Sequence, residues 1–458
     1  MHLKFSRSGP LEVSLQHVGH RFRQVASEPC DGMMFDLLVP VRSRIRSLMI
    51  HGDRILLHDR CQFMEGPLSE LETLSITSNV GWEDGSEDRP QRRLKALFER
   101  GLPRLCQLFI AEYTPWPHND FKNLRLLCLY NQSALELELP DLFRMLRGSP
   151  NLEELYIRQH ETSIWIYTSP QNLGPTFPAH SLRKLRLHNF SNRAIAYILS
   201  TMLLQPNGVA VHLSGTLMTT VTLPGIFLLF PPELTLSSAK WLDIYHDSCG
   251  PFGLMFHGTG GSLRIDGYIT GSDEYGGGTA TSLLGYIYQE CAQTLKDLRI
   301  HNLNSAGEGY IFDNFSCFSL EKFTLAGAGD VLDRLCTMLD PRNPGVRDSP
   351  APRSRSLVIR GVYNQPQLER LIALCEGRCK TDHPLREISV AWDSRDIPEW
   401  VTKLCDSSPI PIQVDTRGEW GERELPMVCK ESTGPWWPSW EGAFGDSRQH
   451  DNFVRISV

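Results

Sequence analysis

Asp141 to Ile157 reads DLFRMLRGSPNLEELYI, and its two halves follow different periods. In the first half Leu142, Phe143, Met145 and Leu146 recur at helical spacing, which places them on one face of a helix. Gly148, Ser149 and Pro150 then stop that helix. In the second half Leu152, Leu155 and Ile157 follow the form L-x-x-L-x-I, so that Leu155 and Ile157 share one side of a short strand. Neither element can bury its apolar side alone. The unit makes a core only if similar units stack on both sides of it.

Such units are present along the chain. Leu71, Leu74, Ile76 and Asn79 fit L-x-x-L-x-L-x-x-N, the strand pattern of a leucine-rich repeat. The same form is read at Ile45-Leu48-Ile50, Leu105-Leu108-Ile110, Leu124-Leu127-Leu129, Leu182-Leu185-Leu187, Leu295-Leu298-Ile300, Leu320-Phe323-Leu325 and Leu385-Ile388-Val390. Shorter versions stand at Val209-Val211-Leu213, Leu242-Ile244, Leu263-Ile265 and Leu357-Ile359. With the middle residue as a ruler, 48 to 74 is 26, 127 to 155 is 28, 155 to 185 is 30 and 298 to 323 is 25. Helices are expected between strands at Arg193–Leu204, Leu283–Leu295, Val331–Leu339, Gln367–Cys379 and Glu399–Leu404. The expected fold is therefore α/β: a leucine-rich-repeat solenoid, a curved horseshoe with parallel strands on the concave face and helices and irregular turns on the convex face.

Within it, residues 1–42 are expected to form an amino-terminal cap, with two short strands or a strand and a helical turn over residues 3–40. Residues 43–405 form the array, with loop insertions near 82–93, 258–281 and 341–356. Residues 406–458, carrying Trp436, Trp437 and Trp440 among prolines and glycines, are read as a carboxy-terminal cap or a partly disordered tail.

Composition narrows the function classes. The 458 residues are 41% apolar and 22% charged, ordinary for a folded chain. A formal net charge of −7 disfavours general nucleic-acid binding. The twelve cysteines are scattered, and Cys128 sits between two repeat leucines, so no disulfide framework is read and an intracellular, cytoplasmic or nuclear location is expected. Val221–Leu236 is broken by Pro224, Pro231 and Pro232 and falls short of the roughly 20 apolar residues that span a bilayer, so no membrane partner is expected.

Side chains alternate faces along a strand, so the residues between and just beyond the leucines face outward on the concave side. The candidate partner-binding residues are Glu154, Tyr156 and Arg158; Lys184, Arg186 and His188; Trp241, Asp243 and Tyr245; and Asp297, Arg299 and His301. Aromatic residues and arginine are frequent interface anchors. The pairs His188-Asn189 and His301-Asn302 each follow a strand with no nucleophile motif nearby, and are read as turn residues. Cys375, Cys379 and His383 make C-x3-C-x3-H without a fourth ligand, so no metal is assigned. The glycines at 258–261 and 276–278 lack the G-K-[ST] of a phosphate loop. No catalytic residue and no cofactor is expected, and the chain is read as a non-enzyme.

The segments SRSGPLEVSL (6–15), DLLVPVRSRIRSLMI (36–50), LSELETLSI (68–76) and SPNLEELYI (149–157) together resemble the leucine-rich-repeat part of fungal F-box proteins, especially those of mushroom-forming fungi. The resemblance covers most of residues 3–400 and implies a protein-binding scaffold, the substrate-recognition part of a cullin ubiquitin ligase subunit, holding an unknown substrate protein. In that family a small helical F-box ahead of the R-S-G-P-L segment docks on the ligase adaptor. Here Met1 stands directly before that segment, so adaptor binding is expected only if an F-box is supplied upstream. The alternative is a stand-alone repeat protein that inhibits or senses another protein with no ubiquitin link.

Overall fold

The computed structural model describes residues 2–3, 9–16, 38–52, 66–78, 98, 102–111, 119–132, 139–159, 176–205, 208–218, 222–246, 251–269, 277–301, 315, 317–326, 329–342, 351–362, 364–381, 384–392, 396–415 and 425–430. The chain divides into two units, Met1–Gln205 and Pro206–Val458. It is a mixed α/β protein whose strands are mostly parallel.

In the first unit β1 (His2–Leu3) pairs antiparallel with β2 (Leu11–Gln16). From β2 a parallel run continues through β3 (Ile45–Gly52), β4 (Thr73–Ser78), β5 (Gln107–Ala111), β6 (Leu126–Gln132), β7 (Glu154–Gln159) and β9 (Lys184–His188). The short β8 (Phe177–Ala179) and β10 (Met202–Leu204) form a separate parallel pair. The register aligns Leu48, Leu74, Leu108, Leu127, Leu155 and Leu185 in one row, and Ile50, Ile76, Ile110, Leu129, Ile157 and Leu187 in the next. Both rows are buried. Each large aliphatic side chain so placed contributes about 2 kcal/mol from burial. A one-residue slip would turn the whole row outward, which is why the pattern dictates the register.

The first leucine of each unit serves a turn. Leu71, Leu105, Leu124, Leu152 and Leu182 each donate a backbone N–H to the carbonyl three residues earlier, and Leu320 repeats this in the second unit. The residue after that leucine bonds to the preceding rung, as in Glu72 to Arg46, Arg125 to Cys106, Glu153 to Arg125 and Arg183 to Glu153. Side chains staple successive turns: Asn151 donates to Lys122 O (3.1 Å) and Ser319 to Gln293 O (2.6 Å).

The helix read at Asp141 is α1 (Leu139–Arg147), which buries Leu142, Phe143, Met145 and Leu146 and exposes Arg144 and Arg147. It stops where predicted: the Gly148 N–H bonds back to Arg144 O, and the Ser149 hydroxyl donates to Met145 O at 2.9 Å. In α2 (Asn192–Thr201) the cap is Ser191, whose Oγ accepts from Ala194 N, and Ala194, Ile195, Ile198 and Leu199 face inward.

The second unit runs β11 (Val209–Met218), β14 (Gly261–Ile269), β13 (Pro251–His257), β12 (Trp241–His246), β15 (Asp297–His301), β16 (Lys322–Ala326), β17 (Ser356–Val362), β18 (Glu387–Trp392) and β19 (Ile412–Asp415). β13 is antiparallel to both its neighbours; the other pairings are parallel. Its helices are α3 (Thr222–Phe227), α4 (Gly277–Cys291), α5 (Gly329–Leu339), α6 (Gln365–Arg378), α7 (Glu399–Asp406) and α8 (Met427–Lys430). Leu242, Leu298, Phe323, Leu357 and Ile388 make the buried row here.

Several expectations are corrected. The stretch 258–281 is not one loop: Gly261–Ile269 is β14, and α4 begins at Gly277. Leu254 and Phe256 of β13 are buried, and β14 supplies the backbone partners that keep β13 from being an open edge. Past residue 405, β19 pairs in parallel with β18, so the sheet continues beyond the expected end of the array. The amino-terminal stretch is not among these corrections: strands β1 and β2 and a 3-10 turn, Val39–Arg44, lie where two short strands or a strand and a helical turn were expected. The loop expected at 82–93, residues 343–350 and the three tail tryptophans lie outside the described residues.

Candidate functional site

The outward face of each unit is read from the register. In the first unit Glu154 stands opposite Lys184, Tyr156 opposite Arg186 and Arg158 opposite His188. In the second, Trp241 is opposite Asp297, Asp243 opposite Arg299 and Tyr245 opposite His301. Each set of expected contact residues is thus brought together as two adjacent strands. On its other side β12 meets β13, which sets Trp241 against His257 and Asp243 against Met255.

These side chains are less open than the sequence suggests. Glu154, Tyr156, Lys184, Arg186, His188, Trp241, Asp243, Arg299 and His301 are buried, with Tyr156 at 3% and Arg186 at 4% exposure; Arg158, Tyr245 and Asp297 are half-buried. The cause is lateral packing: strands about 4.8 Å apart set long polar side chains against each other. The Tyr156 hydroxyl donates to Glu154 Oε2 at 2.5 Å, and Lys184 Nζ lies 3.4 Å from Glu154 Oε1. Arg158 donates to the Tyr130 hydroxyl at 3.1 Å, its guanidinium carbon 5.1 Å from the ring centre, a cation–π geometry.

In the second unit a polar cluster absent from the expectations spans β11 and β14. Asp266 Oδ2 accepts from Arg264 Nε at 2.8 Å and meets His212 Nε2 at 2.7 Å, and His212 is fully buried. Its signal was the period-two alternation in VAVHLSG and SLRIDG, which puts His212, Arg264 and Asp266 on the side opposite Val211 and Leu263. His257 Nδ1 lies 3.0 Å from both Gly261 O and Ser262 Oγ, and burial holds its pKa below the ordinary histidine value. Arg360, on β17, is also held low, by burial first and by Arg299 next, with Asp415 acting in the opposite direction.

Among the described residues no group of three or more His, Cys, Asp and Glu side chains could hold a metal. Cys375 is buried on α6 with its thiol 3.0 Å from Leu371 O, Cys379 is exposed, and His383 lies outside the described residues. Asn189 adopts the left-handed backbone (φ 61°) that suits a turn, but His188 and His301, read as turn residues following a strand, are the last residues of β9 and β15; Asn302 lies outside the described residues. No helix among the described residues is long and apolar enough to cross a membrane. No known family model, curated protein or solved structure matches the chain.

Proposed function

We propose that the chain is a leucine-rich-repeat solenoid that binds another protein on the outward, concave side of its parallel strands and catalyses no reaction. The observation that carries this reading is the register: polar, aromatic and basic side chains repeat at equivalent positions over buried leucine rows, as Tyr156 beside Arg186 and Asp243 beside Arg299. The recurrent Leu-x-x-Leu turn supports the repeat architecture, since it returns the chain to the same place in each unit. On the strength of the resemblance, the bound protein is a substrate held for a ubiquitin ligase.

Burial dictates which residues test it. Tyr156 and Arg186 are built into the face, so Tyr156→Ala and Arg186→Ala should lower the melting temperature as well as any affinity. Arg158 and Tyr245 are half-buried and offer atoms to a partner. Once a partner is identified by proximity labelling, Arg158→Ala should weaken binding by about 2 kcal/mol for a partner on the first unit's outward face, and Tyr245→Ala by a similar amount for one on the second unit's. Full affinity in both variants would take the site off both faces.

A further inference from the structure

Cys291 and Cys317 each close the turn that opens a repeat unit. The carbonyl of Cys291, at the end of α4, accepts the N–H of Leu295 ahead of β15, and the carbonyl of Cys317 accepts the N–H of Leu320 ahead of β16. β15 and β16 are paired neighbours, so the two turns lie on consecutive rungs. They are joined on both flanks of the cysteines. Two residues beyond each cysteine, the Ser319 hydroxyl donates to Gln293 O at 2.6 Å, and further on the Glu321 N–H donates to Lys296 O at 2.8 Å. Ahead of each cysteine, the rings of Tyr288 and Phe315 meet edge to face with centres 5.0 Å apart. Between these contacts the two thiols are hydrogen-bonded to each other. Adjacent rungs lie about 4.8 Å apart, within the roughly 4.4–6.8 Å that separates the α-carbons of a disulfide.

Neither cysteine has exposed surface. The bond to Cys317, and after it burial, push the Cys291 thiol well above its ordinary pKa. The thiolate is the attacking species in disulfide exchange, so the reaction needs the two rungs to part, and the packing that hinders it then shields the product from reductants. We propose that Cys291 and Cys317 are a disulfide-forming site, oxidised by a small-molecule disulfide such as glutathione disulfide while the rungs are parted. One cysteine thiolate attacks a glutathione sulfur and the first glutathione leaves as a thiolate. The other cysteine thiolate then attacks the cysteine sulfur of the mixed disulfide and releases the second. Two protein thiols and one glutathione disulfide thus give one protein disulfide and two glutathione thiols; the protein loses two electrons and two protons, and glutathione gains them. The bond ties the β15 rung to the β16 rung across residues 292–316 and restricts the unfolded chain. It is independent of the protein-binding reading above.

The test incubates the full chain with glutathione disulfide, in buffer and in about 2 M urea, then blocks free thiols and maps the linked peptides by mass spectrometry. A Cys291–Cys317 peptide should be the main internal product and should form faster in urea, which favours the parted rungs. After the urea is removed, the linked chain should melt about 5 °C above the same chain kept in dithiothreitol. Cys291→Ala and Cys317→Ala should each abolish that difference. Each variant is compared with itself under oxidising and reducing conditions, so any loss of packing from the substitution cancels. Cys336 and Cys375 are the internal control: they sit on the packed helices α5 and α6, and helix axes ordinarily stand about 8–10 Å apart. A main product joining Cys336 to Cys375, glutathione adducts with no internal bond, a rate that urea leaves unchanged, or a melting difference that survives Cys317→Ala would each overturn the site.

Discussion

Leu155 has no exposed surface and lies between Leu127 and Leu185 in the buried row, so its side chain is closed in by strands on both flanks. Leu155→Asp would place a carboxylate there without a partner and should cost about 3–5 kcal/mol, read as a large fall in the melting temperature by circular dichroism. A melt like the parent's would remove Leu155 from the core. The histidine of β13 predicts a pH effect of known sign. His257 has a folded pKa below the ordinary histidine value of about 6.5, because burial disfavours the charged ring. The unfolded chain therefore binds the proton more readily, so this group's contribution to stability is complete above about pH 6.5 and is lost as pH falls through the window between the two values. His257→Gln should flatten the melting-temperature profile between about pH 7 and pH 5; a profile that keeps its slope would show that the loss arises elsewhere.

At the scale of elements, the helices that carry both an apolar stripe and an explicit stop were legible, whereas the short α3 and α8 were not foreseen. α5 and α7 lie within a few residues of the spans read from periodicity, and α1 ends at Gly148 and Ser149 through bonds made by those residues. Their stability has a local part that can be measured. Ser191→Ala removes the acceptor for Ala194 N at the start of α2 and should cost about 1 kcal/mol by urea titration. A Ser191→Asp variant that keeps the acceptor should lose little. β13 was the least legible: PFGLMFH reads as glycine-interrupted and apolar, and its strand state depends on pairing with β12 and β14, which single-chain periodicity does not report.

At the scale of the whole molecule, cysteines distinguish core from surface. Burial raises the thiol pKa of Cys336 and Cys375 to about 12, and that of Cys128 further, so under native conditions these thiols stay protonated and shielded. Cys379 is exposed. A thiol titration of the folded chain should show a fast phase that Cys379→Ser reduces by one equivalent, while Cys128, Cys336 and Cys375 react only after denaturant is added. Fast reaction of Cys128, located by mass spectrometry, would contradict the packing of β6 against β5 and β7.

What the sequence determined by itself is what repeats locally: the leucine rows, their turns, the helix stops and the alternation that sends Tyr156, Arg186 and Arg299 to the outward side. Each follows from a period of 2 or 3.6 residues and needs no knowledge of distant chain. What only the tertiary structure decided is which strands become neighbours and how much water reaches the outward side chains. β13 and β14 enter beside β12, Glu154 draws in Tyr156 and Lys184, and Arg299 lies opposite Asp243. Register places a residue on a face, but its exposure and its charge partners depend on strands that come from elsewhere in the chain.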